Sequence, residues 1–279
     1  MVRMQPTPIP TIPLNETTAI PVLGFDTQGL ERQRGFDMTI HALEVGFRHL
    51  ELSDHDSDME AIHKAMGETG VPRKELFLSS KVWWNNLTSK QLRHSCEGTL
   101  TKLGVDYLDL YMVHWPNRTV PIGDTLGEMQ ALVSEGKIKA VGVCNFTQRH
   151  LEEARITGVG IAVHQFELHP TFTQQEMQIY CHSHGIAPMA LSLFGEGKDL
   201  ITPLIVDIAS GYNATPAQIV LAWARAKNVI VAQCASMFPG VDEYIASLSL
   251  MLTEDEIRQI DSLPQRGRLI QPPFADFDY

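Results

Sequence analysis

Cysteine is scarce in this chain: four in 279 residues, Cys96, Cys144, Cys181 and Cys234. They are widely spaced and form no CxxC pair, which argues against a disulfide framework or a cysteine-rich zinc site and for reduced, buried thiols. Long apolar runs are missing too, since nothing approaches the roughly 20 residues that a membrane-spanning helix needs. Positive charge is in deficit, with 22 Lys and Arg against 33 Asp and Glu and a net charge of −11. Neither a nucleic-acid backbone nor an anionic bilayer attracts such a surface. The Pro-rich N-terminus lacks a basic-then-apolar leader, so a cytoplasmic location is expected. Also absent is the GxGxxG turn of a doubly wound dinucleotide-binding sheet, because Leu23-Gly-Phe-Asp-Thr-Gln-Gly29 does not match it.

What is present is the composition of an ordinary globule, 44% hydrophobic and 20% charged. A rhythm runs through it: a short apolar or β-branched run, then an amphipathic helical pattern. Strands are expected at 21–25, 49–51, 76–81, 107–114, 138–144, 161–165, 186–191 and 229–232. Helices are expected at 31–46, 59–69, 89–103, 124–135, 148–156, 174–184, 216–226 and 241–250, with 195–200 as a loop. The prolines Pro6, Pro8, Pro10 and Pro13 cannot serve a central ladder and suit a tail leading into an edge strand or hairpin. Eight alternating units predict an α/β fold, a (β/α)8 TIM barrel in one domain over 1–279 with an N-terminal hairpin and a C-terminal tail.

Barrels of this kind carry their chemistry at the C-terminal ends of the strands. At or just past those ends stand Asp26, Glu51, Lys81, His114, Asn145, Gln165, Leu191 and Cys234. Six of the eight are polar or ionisable, a ring of functional groups around a pocket. Trp83 follows Lys81 and Trp115 follows His114, which supplies aromatic walls. The densest stretch is 48–60, where Glu51, Asp54, Asp56, Asp58 and Glu60 crowd five carboxylates into ten residues. Like charges so close are costly, and chains keep them at working sites or at helix starts. Asp58 and Glu60 suit a helix cap and first turn. Asp54, Asp56 and Asp58 have the spacing of a calcium loop. Met59 and Ala65 occupy the positions that require Gly and Glu, however, so no metal is expected.

These residues lie within motifs that resemble the aldo-keto reductase superfamily, and the likeness extends over nearly the whole chain. The motifs include Ile20-Pro-Val-Leu-Gly24, Gly46-Phe-Arg-His49, Ser80-Lys81-Val-Trp83, Leu103-Gly-Val-Asp-Tyr-Leu-Asp109 and Val113-His-Trp-Pro116. Further on come Gly136-Lys-Ile-Lys-Ala-Val-Gly142, Asn145-Phe146 and Gln165-Phe-Glu-Leu-His-Pro170, and the likeness is greatest to bacterial 2,5-diketo-gluconate reductase-type members. The resemblance implies an Asp, Tyr, Lys, His tetrad in which Tyr is the general acid and His orients the carbonyl. Lys81 and His114 match it, Glu51 stands for the Asp, and Asp56 stands for the Tyr. A phenol of pKa about 10 can be tuned to give up a proton, whereas a carboxyl of about 3.9 beside a lysine stays ionised and accepts. Of the implied nicotinamide contacts, Asn145 and Gln165 remain. In the implied 2′-phosphate grip, Cys234, Ala235 and Gly240 replace Lys, Ser/Thr and Arg, and only Glu243 survives as a vestige. Losing two charge-assisted contacts at about 1.5–3 kcal/mol each weakens NADPH by roughly 10²- to 10⁴-fold.

On these residues the favoured expectation is a non-redox enzyme with no cofactor. It would perform dehydration, isomerisation or cyclisation on a small molecule with Glu51, Asp56, Lys81 and His114, in a pocket lined by Asp26, His55, Trp83 and Trp115. The alternative is an NADPH- or NADH-dependent reductase of a keto-sugar or aldehyde with an atypical site. A catalytically silent binding protein is the third.

Overall fold

The computed structural model describes residues 8–30, 32–55, 58–235 and 237–278. Two short strands, β1 (Thr11–Pro13) and β2 (Ala19–Pro21), form an antiparallel hairpin in which Ile12 faces Ile20. Eight parallel strands follow: β3 (Leu23–Asp26), β4 (His49–Glu51), β5 (Phe77–Val82), β6 (Leu110–Val113), β7 (Val141–Cys144), β8 (Val163–Glu167), β9 (Ala187–Leu191) and β10 (Ile230–Gln233). Pairing of β10 with β3 closes them into a barrel, so the (β/α)8 expectation holds, hairpin included.

The described helices are α1 (Arg32–Val45), α2 (Met59–Thr69), α3 (Ser89–Leu103), α4 (Ile122–Ser134), α5 (Gln148–Ile156), α6 (Gln175–Ser183), α7 (Pro203–Tyr212), α8 (Pro216–Ala226), α9 (Phe238–Ala246) and α10 (Glu254–Asp261). Two of these, α7 and α10, escaped the reading by period. Both α7 and α8 fall between β9 and β10, so a rhythm of one helix per strand leaves α7 out, although Pro203 at its first turn is a start signal. A capping box on Thr253 and Glu256 opens α10, whose only buried residue is Ile260. The expected loop at 195–200 contains two single 3-10 turns, Gly195–Gly197 and Asp199–Ile201.

Alternation along the strands divides the barrel interior by height. At the N-terminal end Ile20 of the hairpin packs in one cluster with Phe77, Leu110, Met112, Val163, Met189 and Ile230, and so plugs that end. Each such buried side chain contributes about 1.5–3 kcal/mol. Two or four residues further along the same strands, on the same face, come Lys81, Gln165 and Glu167. Gly24 makes room for His49, which pairs with Phe77, since a Cβ there would lie 2.4 Å from His49 Nδ1. The His49 ring is wholly buried, bonds Ser79 Oγ at 2.8 Å, and is pushed down to about 4 by burial, so it is neutral packing.

The acid-rich stretch resolves into separate roles. Asp58 caps α2 by accepting from the Ala61 N–H at 3.1 Å, with Glu60 in the first turn. Asp54 accepts from the Ser95 hydroxyl and, at 3.4 Å, from the Trp83 N–H. Arg48 donates to the carbonyls of Leu43 and Phe47 beyond the end of α1. Asp56 lies outside the described residues. Among the described acids of this stretch, Glu51 alone turns into the barrel.

Candidate active site

Glu51 ends β4 and Lys81 is the fifth residue of β5, and both side chains are about 1% exposed. Lys81 Nζ donates to Glu51 Oε1 and, more weakly, to Gln165 Oε1 at 3.4 Å. The Gln165 amide closes the triangle, its Nε2 donating to Glu51 Oε1 at 2.9 Å and Oε2 at 3.2 Å. Burial pulls the Lys81 ammonium down, but Glu51 and Asp26 outweigh it and hold the lysine above its ordinary value. The pair is therefore an ionised cation and anion inside the barrel, and removing either partner would strand the other without solvent.

His114 follows β6 and is 5% exposed. Its backbone N–H donates to the Val82 carbonyl at 3.0 Å, and its own carbonyl accepts from Asn145 Nδ2 at 3.1 Å. Burial, the Lys81 cation and His55 hold the imidazole well below its usual value, so it is neutral. Its Nδ1 is buried with no hydrogen-bond partner among the described residues. Asn145, just past β7, adopts φ +59°, and its Oδ1 is a second buried atom with no partner among the described residues. The thiol of Cys144 lies 3.4 Å from Gln165 Oε1, and burial raises its pKa so that it stays a thiol.

Aromatic rings surround this group. Trp83 meets His114 edge-on at 5.0 Å and stacks on His55 at 4.4 Å and 10°. Phe274 of the C-terminal tail sits among Trp83 at 5.6 Å, Trp84 at 4.9 Å and Trp115 at 5.6 Å. The tail therefore lies over the mouth. A cavity of about 450 Å³ opens beside Trp83 and is lined by Asp54, His55, Asn85, Asn86 and His94. Another of about 560 Å³, lined by Lys139, Val141, Arg155 and Ile161, lies at the opposite end of the strands, away from these groups. Among the described residues no group of three His, Cys, Asp or Glu could hold a metal, and no helix is long and apolar enough to cross a membrane.

The structure thus brings Glu51, Lys81, His114, Asn145, Gln165, Trp83, Trp115 and His55 to one end of the barrel. Asp26 ends β3 half-buried, with its Oδ1 accepting from the Gln28 N–H at 2.9 Å. Glu243 is set elsewhere, in α9, where it accepts from the Thr215 hydroxyl. Reading one residue per strand end missed a second buried charge group, Glu167, His169 and Asp199, at the end of β8 and in the loops after it. The signal was available, because Gln165, Glu167 and His169 recur at period two where a strand should be apolar.

The model of the Aldo/keto reductase family matches residues 23–265. The chain belongs to that family. Methylglyoxal reductase DkgB of Escherichia coli O157:H7 is 32% identical over 259 residues, 91% of this chain and 97% of that protein. A 9,11-endoperoxide prostaglandin H2 reductase of Trypanosoma cruzi is 32% identical over 232 residues, 82% of each chain. A solved structure provisionally named 2,5-diketo-D-gluconic acid reductase B has a TM-score of 0.89 at 28% identity, covering 92% of this chain and 93% of that one.

These relatives overturn the expectation of a non-redox lyase or isomerase, because they are named as reductases. The expectation of no cofactor falls with it, since aldo-keto reductases use NAD(P)H. Position 56 and the 2′-phosphate grip bear less on the reaction class than the relatives do. The first concerns the source of a proton and the second a phosphate remote from the reacting carbon. Neither removes the buried Glu51–Lys81–Gln165 triangle or the Asn145 amide.

Proposed function

We propose that this protein is a nicotinamide-dependent reductase of a small aldehyde or ketone that uses NADH in preference to NADPH. The observation that carries the reading is the buried Glu51–Lys81–Gln165 triangle beside a neutral His114, in a chain whose relatives are reductases. The donor set fits the nicotinamide end, because a carboxamide N–H₂ is the partner that the buried Asn145 Oδ1 lacks among the described residues. Bound there, the reduced dinucleotide supplies the hydride.

The protein's own groups do the remaining work. His114 Nε2–H donates to the carbonyl oxygen and orients it, its backbone tied to Val82 and Asn145 and its ring set edge-on against Trp83. The Lys81 cation stabilises the negative charge that develops on that oxygen, and it does so strongly because little water screens it. Glu51 and Gln165 fix the Lys81 ammonium and keep it protonated. Once the alkoxide forms it is a far stronger base than a lysine amine, so Lys81 Nζ–H gives up the proton that completes the alcohol, and solvent restores that proton to Lys81 after the product leaves. Trp83, Trp115 and Phe274 exclude water.

The segment after β10 supports NADH. Cys234, Ala235 and Gly240 offer no cation for a 2′-phosphate, whereas Asp242 and Glu243 in α9 are acids, which suit a ribose hydroxyl and repel a phosphate. The test is a fluorescence titration with NADH and with NADPH, followed by turnover of methylglyoxal with each. Binding of neither dinucleotide, with no turnover of this or other small aldehydes, would overturn the reading.

A further inference from the structure

We infer that Glu167 is a positioning residue: its buried carboxylate, steadied by His169 and Asp199, seats the C-terminal tail so that Phe274 walls one side of the barrel mouth. Glu167 is the last residue of β8 and its side chain is wholly buried. Its Oε1 accepts the Leu269 N–H at 2.7 Å and its Oε2 accepts the Ile270 N–H at 3.0 Å, so one carboxylate grips two successive amides of the tail. Arg268 Nη1 stands 3.8 Å from Oε2, while its guanidinium lies 3.6 Å from the centre of the Phe277 ring.

On the other side of Glu167, His169 Nε2 is 3.3 Å from Oε1, and its Nδ1 is 2.6 Å from Asp199 Oδ2. Both ring nitrogens face carboxylate oxygens. A neutral imidazole would turn a lone pair toward one of those anions, so only the doubly protonated ring satisfies both. Thr171 Oγ1 donates to Asp199 Oδ1 at 2.6 Å. Gly195 permits the approach, since a Cβ on it would lie 2.7 Å from Asp199 Oδ2 and 3.2 Å from His169 Nδ1. Glu167, His169 and Asp199 are each at most 1% exposed.

Burying that many charges costs several kcal/mol per ion and is weak evidence for stability, so its use must be sought in geometry. Here it fixes Leu269 and Ile270, and the chain then runs on to Phe274 against Trp83, Trp84 and Trp115. Trp83 touches both His55 and His114, so a tail that shifts moves a wall of the site without touching the reacting groups. The kinetic arm of the test rests on the reductase reading, whereas the emission arm does not.

The experiment compares E167Q, F274A and the double variant in the full chain. Gln keeps the volume of Glu but turns an N–H₂ toward one of the two tail amides. In E167Q, tryptophan emission is expected to move toward that of F274A. The KM for methylglyoxal should rise roughly tenfold or more, with kcat little changed, as loss of a charged hydrogen bond and of a binding wall requires. The double variant should match F274A, because both changes act through one element. Unchanged emission in E167Q, or fully additive KM effects in the double variant, overturns the inference. If E167Q does not fold, F274A decides alone: a raised KM with an emission change supports the wall, and an unchanged KM refutes it. If the unmodified chain turns over no aldehyde, the reductase reading fails while emission still reports whether Glu167 seats the tail.

Discussion

Two buried charge groups stand at the same end of this barrel, and they differ in what they face. Glu51, Lys81 and Gln165 come from strands alone, β4, β5 and β8, and meet within the lumen. Glu167, His169 and Asp199 join a strand end to two loops and pass their grip outward to the tail. Both groups bury carboxylates opposite cations. The first holds one cation in the lumen near His114, and the second commits its Glu167 oxygens to backbone amides and has little left to offer a ligand. Buried ionisable groups therefore do not by themselves mark chemistry. The partners on the far side decide.

The comparison breaks most severely at Lys81. Lys81→Met should lower turnover of an aldehyde by roughly 10²- to 10⁴-fold. It should also destabilise the fold by about 3–5 kcal/mol, because Glu51 is left buried and unpaired. Steady-state rates and thermal unfolding read the two effects, and Lys81→Met with Glu51→Gln should recover stability but not rate. His114→Ala should cost roughly 10²-fold in turnover and about 1–3 kcal/mol of stability, less than Lys81→Met, because it leaves a cavity beside Trp83 but strands no charge.

A smaller effect sharpens the second group. Gly195→Ala should loosen the His169–Asp199 pair, both by the close contact and because φ is +54° there. The expected destabilisation is about 1–3 kcal/mol, with KM raised more than kcat is lowered. Smallest is the response to pH. Burial pulls His169 down, but Asp199 and Glu167 outweigh it and raise it above its ordinary value. A raised histidine contributes stability that is complete below about 6.5 and is lost as pH rises through the folded value. Arg268, facing Glu167 from the tail, stays charged throughout. Unfolding temperature, and protection of the tail from proteolysis, should therefore fall on the alkaline side; a rise in either with pH would contradict the doubly protonated ring.

Much of the architecture was legible because both periods are local. The helices α2, α3, α5 and α8 and the strand β4 lie where the pattern put them. Apolar runs that end in Glu51, Lys81 and His114 mark the mouth in the sequence alone. Helix α7 escapes a reading that allots one helix to each strand, because two helices lie between β9 and β10. Function was misjudged for a different reason: a substitution at position 56 and a vanished phosphate grip are conspicuous in a linear reading, and an intact buried triangle is not.

By itself the sequence determined the eight-fold alternation, the ring of polar strand ends and the absence of a cation for a 2′-phosphate, since each depends on residue type and spacing. Only the tertiary structure decided which acids are buried, that Gln165 closes on Glu51 from the far side of the barrel, and that a tail amide 102 residues downstream meets Glu167. Those facts depend on closure of the barrel and on desolvation, and neither is a property of any short stretch of chain.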